Sequence, residues 1–176
     1  MGADISLENL REVGGEPVAD LRVRAAKLRG IDIPEDLVPL AIDEFPVLFI
    51  AAACAEGRTI LRGAEELRVK ESDRIQVMAD GMLALGIQCE PTPDGIIIDG
   101  GAIGGGEVHS HGDHRIAMSF LVMGLASAHE TKVDDSRFIA TSFPDFTGLM
   151  NGMGARIGAP EANVWMSSSA SPYHSA

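Results

Sequence analysis

Apolar residues recur along the chain with two periods. Ile75, Met78, Met82 and Leu85 fall at i, i+3, i+7 and i+10, the stripe of an amphipathic helix, and Gly86 suits the left-handed position that closes one. Asp113 stands before a run that stays apolar to about Ala126, which predicts a second helix with Asp113 as its N-cap. A third helix opens at Asp43-Glu44-Phe45-Pro46 and ends near Glu56-Gly57. Ser142 with Asp145 reads as a capping box for a fourth, which runs to Met153 and stops at Gly154. Short β-type segments lie between these helices: Thr59 to Leu61, Gly95 to Asp99 and Thr131 to Val133. Ile5 to Arg11 and Val18 to Arg24 flank a Gly14-Gly15 turn and predict a hairpin.

The pattern repeats. Met1-Gly2-Ala3-Asp4-Ile5, Leu85-Gly86-Ile87-Gln88-Cys89 and Met153-Gly154-Ala155-Arg156-Ile157 resemble one another, and the last two each follow a predicted helix. The helix-opening acids Asp43 and Asp113 are offset by 113 − 43 = 70 residues, the closing glycines Gly86 and Gly154 by 154 − 86 = 68. Each unit reads as helix, short strand, second helix and trailing strands, giving about two units plus the tail strands of a third over residues 1–158. Met1-Gly2 then reads as a helix end without its helix, so an incomplete domain is expected, with one face uncovered. A homodimer through that face is a further possibility to test. Ser-rich residues 159–176 read as a disordered or extraneous tail.

Composition narrows the function. At 176 residues and 45% hydrophobic content the chain can bury a core. Its net charge of −12 argues against a nucleic-acid partner. The longest apolar run, Ile116 to Ala128, is shorter than the roughly 18 residues of a membrane span, so no membrane partner is expected and the cytoplasm is the expected location. Cys54 and Cys89 form no CxxC pair and read as reduced. Gly100 to Gly106 precedes a strand-like stretch instead of a helix, which favours a connector over a phosphate loop.

Cations stand where local rules disfavour them. His114 and Arg115 in one first helical turn, and Arg74 in another, face a dipole end that already carries positive charge, at a cost of about 0.3–1 kcal/mol each. Local rules tend to fail at functional sites. If the helix entrances near Asp43, Ser72, Asp113 and Ser142 share one side, Lys70, Arg74, His114 and Arg115 make a site for phosphate or carboxylate. Asp43 serves as an N-cap or as a base beside a substrate hydroxyl, and Glu71 as a turn residue or as an acid. His109 and His111 share a strand face with Asp113 near, but no Cys or further His completes a ligand set, so no metal is expected.

The stretches IDEFPVL from Ile42, LRVKESDR from Leu67, DHRIAMSFLVMGL from Asp113 and IATSFPDF from Ile139 resemble the C-terminal part of the 5-enolpyruvylshikimate-3-phosphate synthases. The resemblance runs from residue 1 to about Ile157. It implies a mixed α/β (α+β) fold, an inside-out α/β barrel of βαβαββ repeats, of which this chain holds an incomplete domain. It implies transfer of the carboxyvinyl group of phosphoenolpyruvate to the 5-hydroxyl of shikimate 3-phosphate in the shikimate pathway of aromatic amino-acid biosynthesis, without metal or organic cofactor. By resemblance Asp43 is the base, Glu71 exchanges a proton with the methylene carbon and Lys70 contacts both substrates. Arg74 and Arg115 clamp phosphoenolpyruvate, with His114 close by. The N-terminal part of the same enzyme is the implied partner, and the chain alone is expected to be inactive. Two departures are Thr141, where many members carry Lys, and Glu66, where Asn is frequent. A non-catalytic anion- or partner-binding domain, and a relative acting on UDP-N-acetylglucosamine, are the alternatives.

Overall fold

The stripe of Ile75, Met78, Met82 and Leu85 is buried to within 1%, and it organises the centre of the fold. The structure is a computed structural model and describes residues 1–134 and 136–158; the predicted tail lies outside these. The stripe runs along α2 (Arg74–Ala84) and its C-cap. Beside α2 lie α1 (Phe45–Ala53), with Phe45, Phe49, Ile50 and Ala53 buried, and α3 (His114–Gly124), with Ile116, Phe120 and Met123 buried. All nine residues of α1 are apolar, as expected of a helix surrounded by other elements. Each large side chain withdrawn from water in this way contributes about 1.5–3 kcal/mol.

Sheets flank the helices. In the first, β3 (Arg58–Leu61), β5 (Gly95–Asp99) and β4 (Gln88–Thr92) form an antiparallel sheet in the order β3-β5-β4. An extended segment at residues 28–33 lies parallel to β3, through the bridges Arg29–Glu56 and Asp32–Ile60. Reading this segment as a strand, the chain order is strand, α1, β3, α2, β4, β5, which is one βαβαββ unit. A second begins with β6 (Gly106–Val108), α3 and β7 (Thr131–Val133), the two strands being parallel as an α-helical crossover requires. The β1 (Asp4–Val13) and β2 (Glu16–Arg24) hairpin precedes both. Its facing pairs Ile5/Val23 and Leu7/Leu21 are exposed. The described residues are therefore mixed α/β and form no closed barrel.

The repeated glycines have one cause. Gly86 and Gly154 have φ of 89° and 102°. Each helix ends with the same pair of bonds: Gly86 N–H to Leu83 O and Ile87 N–H to Met82 O in one, Gly154 N–H to Asn151 O and Ala155 N–H to Met150 O in the other. At the α2–α3 crossing, a Cβ on Gly81 would stand 2.2 Å from Cζ of Phe120, so the absent side chain is what lets the ring lie against α2.

Two sequence expectations fail. The capping box does not form, because Ser142 ends a short helix, α4 (Ile139–Ser142), and the next helix, α5 (Phe146–Gly152), starts after Asp145 with no side-chain cap. The Phe143-Pro144 step breaks the run, since Pro disfavours helical geometry in the residue before it. Asp43 is not the cap of α1. It sits in a 3-10 turn (Ile42–Glu44), Glu44 occupies the cap position without capping, and the Asp43 carboxylate is taken by cations from elsewhere.

Candidate active site

The entrances of α1, α2 and α3 meet at one charged cluster. Arg74, the first residue of α2, is the centre: its side chain is 1% exposed, and all of the nitrogens that reach the cluster are engaged by acids. Nε donates to Asp113 Oδ2 at 2.9 Å, Nη1 to Asp43 Oδ1 at 3.2 Å, and Nη2 to Glu71. A guanidinium can be buried at such depth only because three carboxylates replace its water.

Asp113 is the best-held of the three, with a side chain that is 0% exposed. It also accepts from Ser72 Oγ at 3.1 Å and, as the N-cap of α3, from Arg115 N at 2.9 Å and Ile116 N at 3.4 Å. Burial pushes its carboxyl up, but Arg74, Ser72 and the helix amide outweigh this and hold it below the ordinary carboxylate range. The cap prediction was therefore incomplete: one carboxylate ties the first turn of α2 to the first turn of α3.

Arg115 extends from α3 towards α1, where Nη1 donates to Asp43 O at 3.0 Å and lies 3.3 Å from Glu44 Oε1. Lys70 Nζ stands 3.4 Å from Asp43 Oδ1 and pairs with Glu66 on its other side. Burial works to raise the Asp43 carboxyl, and Lys70, Arg115 and Arg74 together bring it below its usual value, so it is ionised at neutral pH. Asp43, Glu71, Lys70, Arg74 and Arg115 thus lie in one network. His114 begins α3 next to them and is half-buried, and none of the network's bonds uses its ring. The entrance predicted at Ser142 does not contribute, since that residue ends a helix. Thr141 donates to Phe138 O at 2.6 Å.

Sequence reasoning left out several members. Glu66 neutralises Lys70, and Glu44 faces Arg115. Arg68 braces the Lys70-Glu71 segment from behind: Nε donates to Pro93 O at 2.9 Å, Nη2 to Thr92 O, and Nη1 to Asp73, the N-cap of α2, at 2.6 Å. Counting Asp43, Glu44, Glu66, Glu71 and Asp113 against Lys70, Arg74 and Arg115, the wall carries two more acids than cations. Asp43 and Glu71 are about half exposed, so this is an open wall. It suits a ligand that offers anionic oxygens to the guanidinium groups and a hydroxyl or carbon to the carboxylates. His109 pairs with Asp134 at 2.6 Å, and its ring and that of His111 stand edge to face at 6.4 Å.

The family model for EPSP synthase (3-phosphoshikimate 1-carboxyvinyltransferase) matches residues 1–150. The 3-phosphoshikimate 1-carboxyvinyltransferases of Nitrosococcus oceani and Methylococcus capsulatus are 64% and 62% identical over 157 residues, covering 89% of this chain in each case. The match covers only 35% and 36% of those relatives, so the chain spans about a third of their length. The solved EPSP synthase of Acinetobacter baumannii superposes with a TM-score of 0.87 at 57% identity, covering 90% of this chain and 38% of the other.

Proposed function

The chain belongs to the EPSP synthase family, and on that premise we propose that it supplies one wall of an active site that makes 5-enolpyruvylshikimate 3-phosphate. In this reaction the 5-hydroxyl oxygen of shikimate 3-phosphate bonds to C2 of phosphoenolpyruvate while C3 gains a proton. The tetrahedral adduct then loses phosphate and a C3 proton, which restores the double bond. The meeting of Arg74 with the Asp43 and Glu71 carboxylates, beside Arg115 bonded to the Asp43 carbonyl oxygen, supports the reading.

Asp43, ionised beside Lys70, accepts the hydroxyl proton. Glu71 gives a proton to the methylene carbon and takes one back in the elimination. Lys70 lies between the two substrates, Arg74 and Arg115 bind the carboxylate and phosphate of phosphoenolpyruvate, and His114 borders that end. The excess of acids on this wall requires further cations from a facing wall, which the remaining length of the family would supply. The isolated chain is therefore expected not to turn over, and to bind phosphoenolpyruvate no more tightly than about 1 mM.

The test is a chimera in which residues 1–157 replace the matching segment of the Nitrosococcus oceani enzyme. It should transfer the carboxyvinyl group, and Arg115→Ala in it should lower kcat/KM by about 10²–10³. A folded chimera that binds shikimate 3-phosphate but forms no product would refute the proposal, as would turnover by the 176-residue chain alone.

A further inference from the structure

Arg74 meets Asp113 only while the turn before α3 keeps an uncommon shape. His111 and Gly112 both have left-handed φ, 52° and 75°, a geometry uncommon for a residue with a Cβ such as His. The turn closes where Asp113 N–H donates to Ser110 O at 3.0 Å. Ser110 is 0% exposed, so its two remaining groups, the amide and the hydroxyl, need partners within the protein, and both donate to Asp134, the residue after β7. Asp134 Oδ1 accepts from Ser110 N at 2.7 Å, and Asp134 O accepts from Ser110 Oγ at 3.0 Å. Asp134 is itself fixed: its N–H donates to Val108 O at 3.1 Å, continuing the β6–β7 ladder, and its Oδ2 lies 2.6 Å from His109 Nδ1.

We propose that Asp134 is a positioning residue for the two arginines of the site. It clamps Ser110, Ser110 closes the left-handed turn, and the turn delivers Asp113 to Arg74 Nε and to the first amides of the helix that carries Arg115. Without the Asp134 carboxylate the buried Ser110 amide has no acceptor, the turn relaxes, and Asp113 cannot reach both partners. The catalytic meaning of this chain of bonds rests on the function proposed above, but the bonds themselves are tested without substrate.

The readout is the Arg74 Nε–H resonance of the 176-residue chain by NMR, identified by its loss in Arg74→Lys. Locked onto a buried carboxylate, this proton exchanges slowly with water. Asp134→Ala should speed its exchange by at least about tenfold, because a buried donor loses a charged acceptor upstream. Asp134→Asn keeps an oxygen for the Ser110 amide and should restore slow exchange. A folded Asp134→Ala chain with unchanged exchange would overturn the proposal, and so would Asp134→Asn behaving like Asp134→Ala. If Asp134→Ala does not fold, Ser110→Ala decides: it removes only the hydroxyl bond and should give a smaller acceleration, whereas none would overturn the clamp. None of these results depends on whether the chimera is active.

Discussion

Replacing Arg74 by Ala tests how far the site also serves as core. The Arg74 and Asp113 side chains are 1% and 0% exposed, and breaking a buried pair by removing one partner costs about 3–5 kcal/mol because a charge stays behind unpaired. Here Asp113 keeps Ser72 Oγ and two helix amides, so the lower end, about 3 kcal/mol, is expected. For a chain of this size that corresponds to a fall in Tm of about 6–12 °C. Urea unfolding of Arg74→Ala, Asp113→Ala and the double variant closes a cycle. The double variant should cost at least about 2 kcal/mol less than the sum of the singles, since it leaves no orphaned charge. Arg58→Ala is the control: its bond to Asp99 is bidentate at 2.8 Å, yet the side chains are 59% and 45% exposed, so solvent screens the pair and a clearly smaller loss than that of Arg74→Ala is expected. An Arg74→Ala cost no larger than that of Arg58→Ala, or an additive cycle, would refute the view that Arg74 is held by a desolvated pair.

Gly81→Ala should destabilise the chain by about 1–3 kcal/mol in the same assay, because the new methyl would stand 2.2 Å from the Phe120 ring; Gly81→Ala with Phe120→Leu should recover part of the loss. The pH dependence has two arms of opposite sign. Asp113 has its folded-state proton affinity lowered, so its stabilisation is complete above about pH 4 and lost as pH falls further; Asp113→Asn should flatten the acid side of the stability curve. The His109 ring is raised by its hydrogen bond to Asp134 and by the charges of Asp134 and Glu107. Its contribution is therefore complete below about pH 6.5 and fades as pH rises through the higher folded value, which an NMR titration of His109 in wild type and Asp134→Asn would show.

Periodicity made the helices legible. The stripe from Ile75 to Leu85 is buried as its spacing requires, and the three Met-Gly or Leu-Gly repeats share a positive φ at glycine, a local property written in local residues. The first strand of the complete unit was missed. Residues 28–33 are interrupted by Arg29, Gly30 and Asp32 and run straight into Pro34, and their ladder is two isolated bridges, so neither periodicity nor propensity marked them. Ser142 misled because its spacing from Asp145 satisfied a cap rule that Pro144 overrides. At the site, Arg74 and Arg115 stood out because they broke the dipole rule, but their partners did not. Glu44 and Arg68 look like surface charges in sequence, and only the meeting of residues far apart in the chain gives them Arg115 and the Thr92-Pro93 carbonyls; Glu66 stands four residues before Lys70, and that local pair carries no mark in the sequence of belonging to the site. Asp113 satisfied a cap rule so well that nothing in the sequence called for a second role.

The three acids on Arg74 differ in what they can do. Asp113 is fully buried and has four donors, so Nε is fixed; Asp43 and Glu71 are about half exposed and hold Nη1 and Nη2 from the open side. An incoming carboxylate or phosphate that takes both Nη groups replaces one pair of anionic oxygens by another, so the guanidinium never loses its compensating charge and the desolvation penalty is met before the ligand arrives. The same exchange releases Asp43 and Glu71 together. On the function proposed for this wall, these are the two groups that must move protons, so binding of the phosphoenolpyruvate anion would free the base and the acid in one step, while Asp113 keeps the arginine in place. A guanidinium paired with one surface acid could not do this, because its remaining donors would already be in water and ligand binding would free only one carboxylate.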